Sequence, residues 1–108
     1  MTGIAKLLLG ATALALALVT FGAASLAADV ENGERLARRW CVTCHVVAAD
    51  QVKANADVPP FAVVARRPGF TTADVASFLL SPHPKMPDFP LSRREAEDIA
   101  GYIATLAK

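Results

Sequence analysis

The chain has 108 residues with 11 basic and 10 acidic side chains, so its formal net charge is +1. This length allows one domain at most, and any functional site must be built on a single small core. Because the chain lacks the basic excess that binding along a phosphate backbone requires, we do not expect nucleic acid as a partner.

Residues 1–27 have the composition of a secretory signal peptide. One cation, Lys6, precedes an uncharged run rich in Leu and Ala, and Ser25 and Ala27 are spaced like the small residues of a cleavage site. We therefore predict a signal peptide over 1–27, a mature domain over 28–108 and export to the periplasm. The alternative is a retained membrane anchor, since roughly 20 apolar residues can span a bilayer.

The predicted mature domain is neutral and small. Lys6 is the only one of the 11 basic residues before Ala28, so ten remain against ten acidic residues. A domain of this size gains only a thin stability margin from an apolar core and commonly needs a staple or a cofactor. We expect a bound group to complete the core.

Two clear helices flank the domain. Apolar residues from Val30 to Trp40 recur at helical spacing behind Asp29, a good N-cap residue. Near the end of the chain, Ser92 and Glu95 fit a capping box, and Ile99, Tyr102, Ile103 and Leu106 form an apolar stripe behind it. These patterns predict the first and last helices of an all-α fold.

The middle of the domain is less regular. Residues 46–70 contain Pro59, Pro60 and Pro68 without sustained periodicity, which predicts a loop with one short helical turn around 61–65. A third main helix is predicted after Thr71 or Thr72, and prolines at 82 and 84 end it.

Both cysteines of the chain lie in the sequence Cys-Val-Thr-Cys-His, at Cys41, Cys44 and His45. On a helix the two thiols would share one face, because they are three residues apart. This is the C-x-x-C-H pattern of haem c attachment, in which the two thiols form thioethers with the haem and the imidazole becomes an iron ligand. A structural zinc site would need four ligands, and only His83 could join these three. A thioredoxin-like dithiol needs a βαβ context that the pattern lacks.

With this motif in place, essentially all of 28–108 resembles the small monohaem class I cytochromes c of bacteria. The resemblance implies three main helices and loops wrapped around one covalently bound haem c. It also implies that Gly33, eight residues before Cys41, packs against an aromatic of the last helix, here Tyr102. The family's aromatic midway along the first helix is absent, and Leu36 and Ala37 stand there.

The sixth iron ligand is expected far along the chain. Met86 is the only methionine of 28–108 and lies in the proline-rich sequence Ser-Pro-His-Pro-Lys-Met-Pro, which limits backbone freedom and resembles the family's distal Met-Pro. His83 is the rival ligand, and an open distal site is the third possibility. Ligation by His and Met would raise the reduction potential.

Two further site residues follow from the resemblance. Pro59, with Pro60 as the alternative, matches the proline whose carbonyl accepts the proximal His N–H, although Val58 replaces the usual Gly. Arg67, with Arg66 as the second choice, matches the family's Arg-Pro segment and would pair with a haem propionate.

These observations predict a periplasmic electron-transfer protein, not an enzyme, with redox proteins as donor and acceptor. Between Arg66 and Arg94, five cations stand against two acids, which predicts a positive patch facing an acidic partner; the cations are Arg66, Arg67, Lys85, Arg93 and Arg94. Two alternatives are a haem subunit anchored or docked in a respiratory or dehydrogenase complex, and a haem sensor or enzyme with an open distal site.

Overall fold

The computed structural model describes residues 26–55, 57–81 and 84–108. Apart from Leu26 and Ala27, the predicted signal peptide lies outside these ranges, as does His83. Within them the regular structure consists of four helices and no strand: α1 (Val30–Trp40), α2 (Phe61–Ala65), α3 (Thr72–Leu80) and α4 (Arg93–Thr105). The all-α prediction is confirmed, and α2 is the short helical turn expected in the loop.

Polar side chains fix the start of each longer helix. The Asp29 carboxylate accepts a 2.9 Å hydrogen bond from the main-chain N–H of Asn32, and the Thr71 hydroxyl accepts one from Asp74 at 3.0 Å. At α4, Ser92 and Glu95 form the reciprocal capping box, with distances of 2.8 and 3.2 Å. These bonds satisfy main-chain donors that have no partner inside the helix.

Helix α4 is the centre of the fold, because it packs against each of the other three helices. Its buried stripe includes Ile99, Tyr102 and Ile103, which join Ala37 of α1 and Phe61 of α2 in one apolar cluster. A second, smaller cluster of Ala76, Ala96 and Ala100 lies between α3 and α4, and Val75 and Leu79 pack against both clusters.

Helices α1 and α4 approach each other closely at Gly33. A Cβ atom at this position would collide with the main-chain carbonyl of Asp98 and would lie 2.9 Å from Tyr102 Cβ. Glycine is therefore required for the two backbones to come this close. This is the contact that the resemblance implies for Gly33 and Tyr102.

Candidate functional site

The segment Cys41 to His45 forms a tight turn directly after α1. The Cys41 N–H still bonds to the Ala37 carbonyl at 2.8 Å, and the Cys41 carbonyl then accepts hydrogen bonds from the N–H groups of Cys44 at 3.2 Å and His45 at 2.9 Å. The spacing suggested two thiols on one face of a helix, whereas the α-helix ends at Trp40. The turn nevertheless continues the coiling of the chain, since its hydrogen bonds also link residues three and four apart.

The two thiols have different environments. Cys41 is buried and Cys44 is exposed, and neither forms a disulfide. Burial raises the pKa of the Cys41 thiol to about 11, because an apolar surrounding disfavours the thiolate. One sulfur thus faces the core and the other faces outward.

His45 has a defined ring orientation. Its Nδ1 lies 2.7 Å from the carbonyl oxygen of Pro59. Since a carbonyl oxygen only accepts, Nδ1 must donate, and Nε2 of a neutral ring then carries the lone pair. No residue of the described ranges hydrogen bonds to Nε2. The ring also packs on Phe61, with centroids 5.1 Å apart. The imidazole is fixed on one side and free to bind a metal on the other.

The segment that carries Met86 is attached to the end of α1. The ring centroids of Trp40 and Phe89 lie 5.6 Å apart. Trp40 directly precedes Cys41, and Phe89 is three residues after Met86. The Met86 side chain is half-buried and unrestrained by hydrogen bonds in the described structure. The rival ligand His83 lies outside the described residues.

The two arginines of Arg66-Arg67 have different roles. The Arg66 guanidinium donates a 2.9 Å hydrogen bond to the main-chain oxygen of Lys108. Arg67 is exposed, and its guanidinium has no partner among the described residues. Arg67 is thus the one available for an external anion.

The predicted positive patch contains fewer free cations than the sequence suggested. Arg94 donates to the carbonyls of Leu26 at 3.3 Å and Ala27 at 2.6 Å, and its Nε lies 3.4 Å from the Asp98 carboxylate. Arg94 and Arg66 are therefore engaged within the chain. The exposed cations that remain are Arg67, Lys85 and Arg93.

The sequence analysis missed two polar residues. Asp98, only 2% exposed, accepts hydrogen bonds from the Asp29 N–H at 2.7 Å and from Asn32 Nδ2 at 2.9 Å. Its position four residues before Tyr102, on the buried stripe of α4, was a usable signal that it needs an interior partner. The other is Gln51, whose side chain contacts the turn at His45 and left no pattern in the sequence.

Comparisons with known proteins agree with this geometry. A family model described as cytochrome c oxidase, cbb3-type, subunit III matches residues 28–103. Cytochrome c-552 of Bradyrhizobium diazoefficiens is 59% identical over 93 residues, which cover 86% of this chain and 89% of that protein.

The chain belongs to the cytochrome c family. No solved structure gives a significant match. The prediction that the chain is a small monohaem cytochrome c with one covalent haem c is confirmed. Among the described residues no helix is long and apolar enough to cross a membrane.

The residues of the turn fit the haem of a cytochrome c. Two free thiols three residues apart lie beside an imidazole whose Nε2 is available. The zinc alternative gains no support, because the described part of the chain contains no group of three or more His, Cys, Asp or Glu that could hold a metal ion. The donor set is that of a covalently attached haem.

Proposed function

We propose that this cytochrome c is a periplasmic one-electron carrier, without enzymatic activity, whose haem iron is bound by His45 and Met86. The observation that carries the proposal is the 2.7 Å contact between His45 Nδ1 and the Pro59 carbonyl. It fixes the tautomer in which Nδ1 carries the proton and Nε2 has a free lone pair that can bind iron. Cys41 and Cys44 would hold the haem through thioether bonds.

The haem iron supplies the one-electron chemistry by changing between the ferric and ferrous states. The chain supplies a rigid surrounding for it. His45 is restrained by the Pro59 carbonyl and by the Phe61 ring 5.1 Å away. Because the same contacts can be kept in both oxidation states, electron transfer would need little rearrangement of the proximal side.

The distal side is supported by the contact between Trp40 and Phe89, at 5.6 Å. This contact connects the Met86 segment to the residue next to Cys41. Pro84 and Pro87 reduce the backbone freedom of the segment around Met86, so holding the thioether in place has a smaller entropic cost. A thioether ligand favours the ferrous state and so raises the reduction potential of the haem. A carrier with a high potential readily takes up an electron from its donor.

Arg67 is the proposed partner of a haem propionate, because its guanidinium is exposed and unpaired within the described ranges, whereas Arg66 is bonded to Lys108. The donor and acceptor would be redox proteins. Arg67, Lys85 and Arg93 would face acidic groups on such a partner and raise the rate of encounter at low salt. The signal-like residues before Ala28 support the periplasmic location.

The first test is the mass and optical spectrum of the protein matured in a host that attaches haem c. The expected mass is that of residues 28–108 plus one haem, with the spectrum of a six-coordinate low-spin haem. A colourless protein with the mass of the polypeptide alone would end the proposal.

The axial ligands are tested with Met86→Ala and its control His83→Ala. Met86→Ala should abolish the sulfur-to-iron charge-transfer band of the ferric protein, lower the reduction potential and allow rapid binding of carbon monoxide to the ferrous protein. His83→Ala should leave all three unchanged. The reverse pattern would assign the distal position to His83, and fast carbon monoxide binding by the unmodified protein would favour a sensor or enzyme.

A second candidate is a haem subunit docked in a respiratory complex. The observation that favours it is the description of the matching family model, which names an oxidase subunit. Fractionation of native cells separates the two candidates. A carrier should leave the cell with the periplasmic fraction at moderate salt, whereas a subunit should remain with the membrane and purify with its partners.

A further inference from the structure

Residues 45–47 connect the Cys41–His45 turn to the next part of the loop without belonging to a helix or strand. Their main-chain polar groups therefore need partners from elsewhere. The Val46 carbonyl accepts a 2.9 Å hydrogen bond from the Phe61 N–H, and the Val47 carbonyl accepts a 2.6 Å bond from the Tyr102 hydroxyl. The His45 N–H bonds to the Cys41 carbonyl at 2.9 Å, as described above. The His45 carbonyl and the Val47 N–H take their partner from a side chain.

Gln51 bonds to the His45 carbonyl and the Val47 N–H with one side chain. Its Nε2 lies 2.7 Å from the His45 carbonyl, and its Oε1 accepts a 2.9 Å hydrogen bond from the Val47 N–H. Val47 is fully buried, so an N–H there without a partner would carry the full desolvation penalty of an unsatisfied donor. The amide thus bonds the main chain on both sides of Val46.

The same nitrogen also faces the carbonyls of Val42, at 3.2 Å, and Lys53, at 3.0 Å. With three carbonyls around the nitrogen and one N–H facing the oxygen, only one orientation of the amide is compatible with its surroundings. The Val42 bond reaches into the Cys-Val-Thr-Cys-His turn itself. Gln51 therefore connects the inside of the turn to the residues that follow it.

The position of Gln51 is itself determined by its neighbours. Its main-chain N–H bonds to the Ala48 carbonyl at 3.2 Å, which closes a tight turn. Asp50, the preceding residue, forms a 3.0 Å ion pair with Arg38 of α1. The amide thus starts from a backbone that is bound both to itself and to the first helix.

We propose that Gln51 is a positioning residue for His45, whose side-chain amide holds the haem-attachment turn so that the imidazole keeps its bond to Pro59. The proposal rests on the proposed function in one respect, since it takes His45 as an iron ligand. The His45 carbonyl and the His45 ring belong to one residue, so fixing the first restricts the rotation of the backbone that carries the second. The bond from Nδ1 to Pro59 is kept only if that backbone is held.

Two variants and two controls test the proposal in the haem-loaded protein. Gln51→Ala removes both halves of the amide. Gln51→Glu keeps the acceptor for the Val47 N–H at neutral pH but removes the donor to the His45 carbonyl. Asn55→Ala is the control in the same loop, because among the described residues the Asn55 side chain bonds only to the Asp57 N–H, at 3.2 Å. Ser92→Ala, which removes the α4 cap, is the control for a loss of stability elsewhere.

The primary readout is hydrogen exchange of the His45 Nδ1–H and the Val47 N–H in the ferrous protein, followed by NMR. Gln51→Ala should accelerate both by about tenfold or more, the factor that a lost hydrogen bond of about 1.4 kcal/mol predicts. Gln51→Glu should accelerate the His45 proton while the Val47 proton stays protected. The two control variants should leave the ratio of the two rates at its wild-type value.

The reduction potential gives an independent readout. A weaker bond from Nδ1 to Pro59 makes the imidazole a poorer electron donor, so Gln51→Ala, which adds no charge, should shift the midpoint potential upward relative to Ser92→Ala. If a Gln51 variant fails to mature while both controls mature at the wild-type level, the same conclusion follows for assembly of the turn.

Exchange rates and potential in Gln51→Ala equal to those in Ser92→Ala would overturn the proposal. A failure of the proposed function would appear elsewhere, in the wild-type spectrum and in Met86→Ala. The two outcomes are therefore distinguishable.

Discussion

The Tyr102 hydroxyl of α4 donates a 2.6 Å hydrogen bond to the main-chain carbonyl of Val47, 55 residues earlier in the chain. Both residues are buried. The bond joins the last helix to the loop that follows the haem-attachment turn. Tyr102 therefore has two functions in the fold, because the same residue packs beside Gly33 in the crossing of α1 and α4.

Tyr102→Phe keeps the ring in that crossing and removes the bond to Val47. The buried carbonyl of Val47 would then have no partner, and we expect the free energy of unfolding to fall by about 1 to 3 kcal/mol. Denaturant unfolding measures this change. A fall in the free energy of unfolding of less than about 0.3 kcal/mol would mean that water replaces the hydroxyl at the Val47 carbonyl.

The pH dependence of stability should also depend on Tyr102. Burial raises the pKa of its phenol above the ordinary value of 10.0, with a smaller contribution from the Glu34 carboxylate. A group whose folded pKa is raised contributes stability that is complete below its unfolded pKa and is lost as pH rises through the folded pKa. We expect the wild type to lose stability above about pH 10 more steeply than Tyr102→Phe does.

Tyr102 is the only tyrosine of the chain, which makes its titration measurable without overlap. Protein labelled with 13C at tyrosine Cζ should show one resonance, and the midpoint of its titration should lie at a higher pH than the pKa of free tyrosine. Identical alkaline stability curves for the wild type and Tyr102→Phe would contradict the expectation.

Gly33→Ala should be among the most damaging single changes in α1. The added methyl would meet the main-chain carbonyl of Asp98, which cannot rotate away as a side chain would. Overpacking of this kind costs about 1 to 3 kcal/mol. The change from Gly to Ala also adds about 1 kcal/mol of helix propensity. The cost exceeds this gain if the two helices cannot move apart. We expect a net loss of stability, read from thermal unfolding.

Gly101→Ala is the matched control in α4. Its added Cβ would lie 2.7 Å from the Ala28 side chain, at the start of the described chain before α1. That neighbour can move more easily than the backbone of a helix, so the cost at Gly101 should be clearly smaller. Equal losses in the two variants would mean that the crossing of α1 and α4 has room for a methyl group.

Asp98→Ala should destabilise the junction between α1 and α4. Removing the carboxylate leaves the Asp29 N–H and the Asn32 amide without an acceptor, and Arg94 without its nearby charge. We expect a loss of about 2 to 4 kcal/mol, and a smaller loss in Asp98→Asn, which keeps one acceptor oxygen. Glu97→Ala, an exposed change one residue away, should stay within about 0.5 kcal/mol of the wild type.

The parts of this fold that could be predicted are those determined by local sequence. Asp29 and Ser92 were identified as helix caps, and Thr71 as one of two candidates beside Thr72, because capping depends on residues three apart. The Cys-Val-Thr-Cys-His motif likewise has its chemistry within five residues. Family resemblance supplied the pairing of Gly33 with Tyr102, which no local pattern shows.

The parts that could not be predicted depend on contacts between distant residues. Gln51 bonds to the turn because the loop folds back on itself, and no periodicity marks this. Arg94 was counted in a surface patch because charge alone does not reveal that the carbonyls of Leu26 and Ala27 lie within its reach. The roles of Met86 and the leader remain predictions, and the helical face suggested for the cysteines was replaced by a turn.

The central position of α4 has a consequence for how the protein is made. Since the other three helices all pack on this last one, the growing chain has little to fold onto until its final segment has left the ribosome. Domains usually begin to fold as soon as they emerge during synthesis, and this one must wait until α4 is made. Such a delay would keep the polypeptide extended, which is the form in which a chain exported as proposed above would cross the membrane.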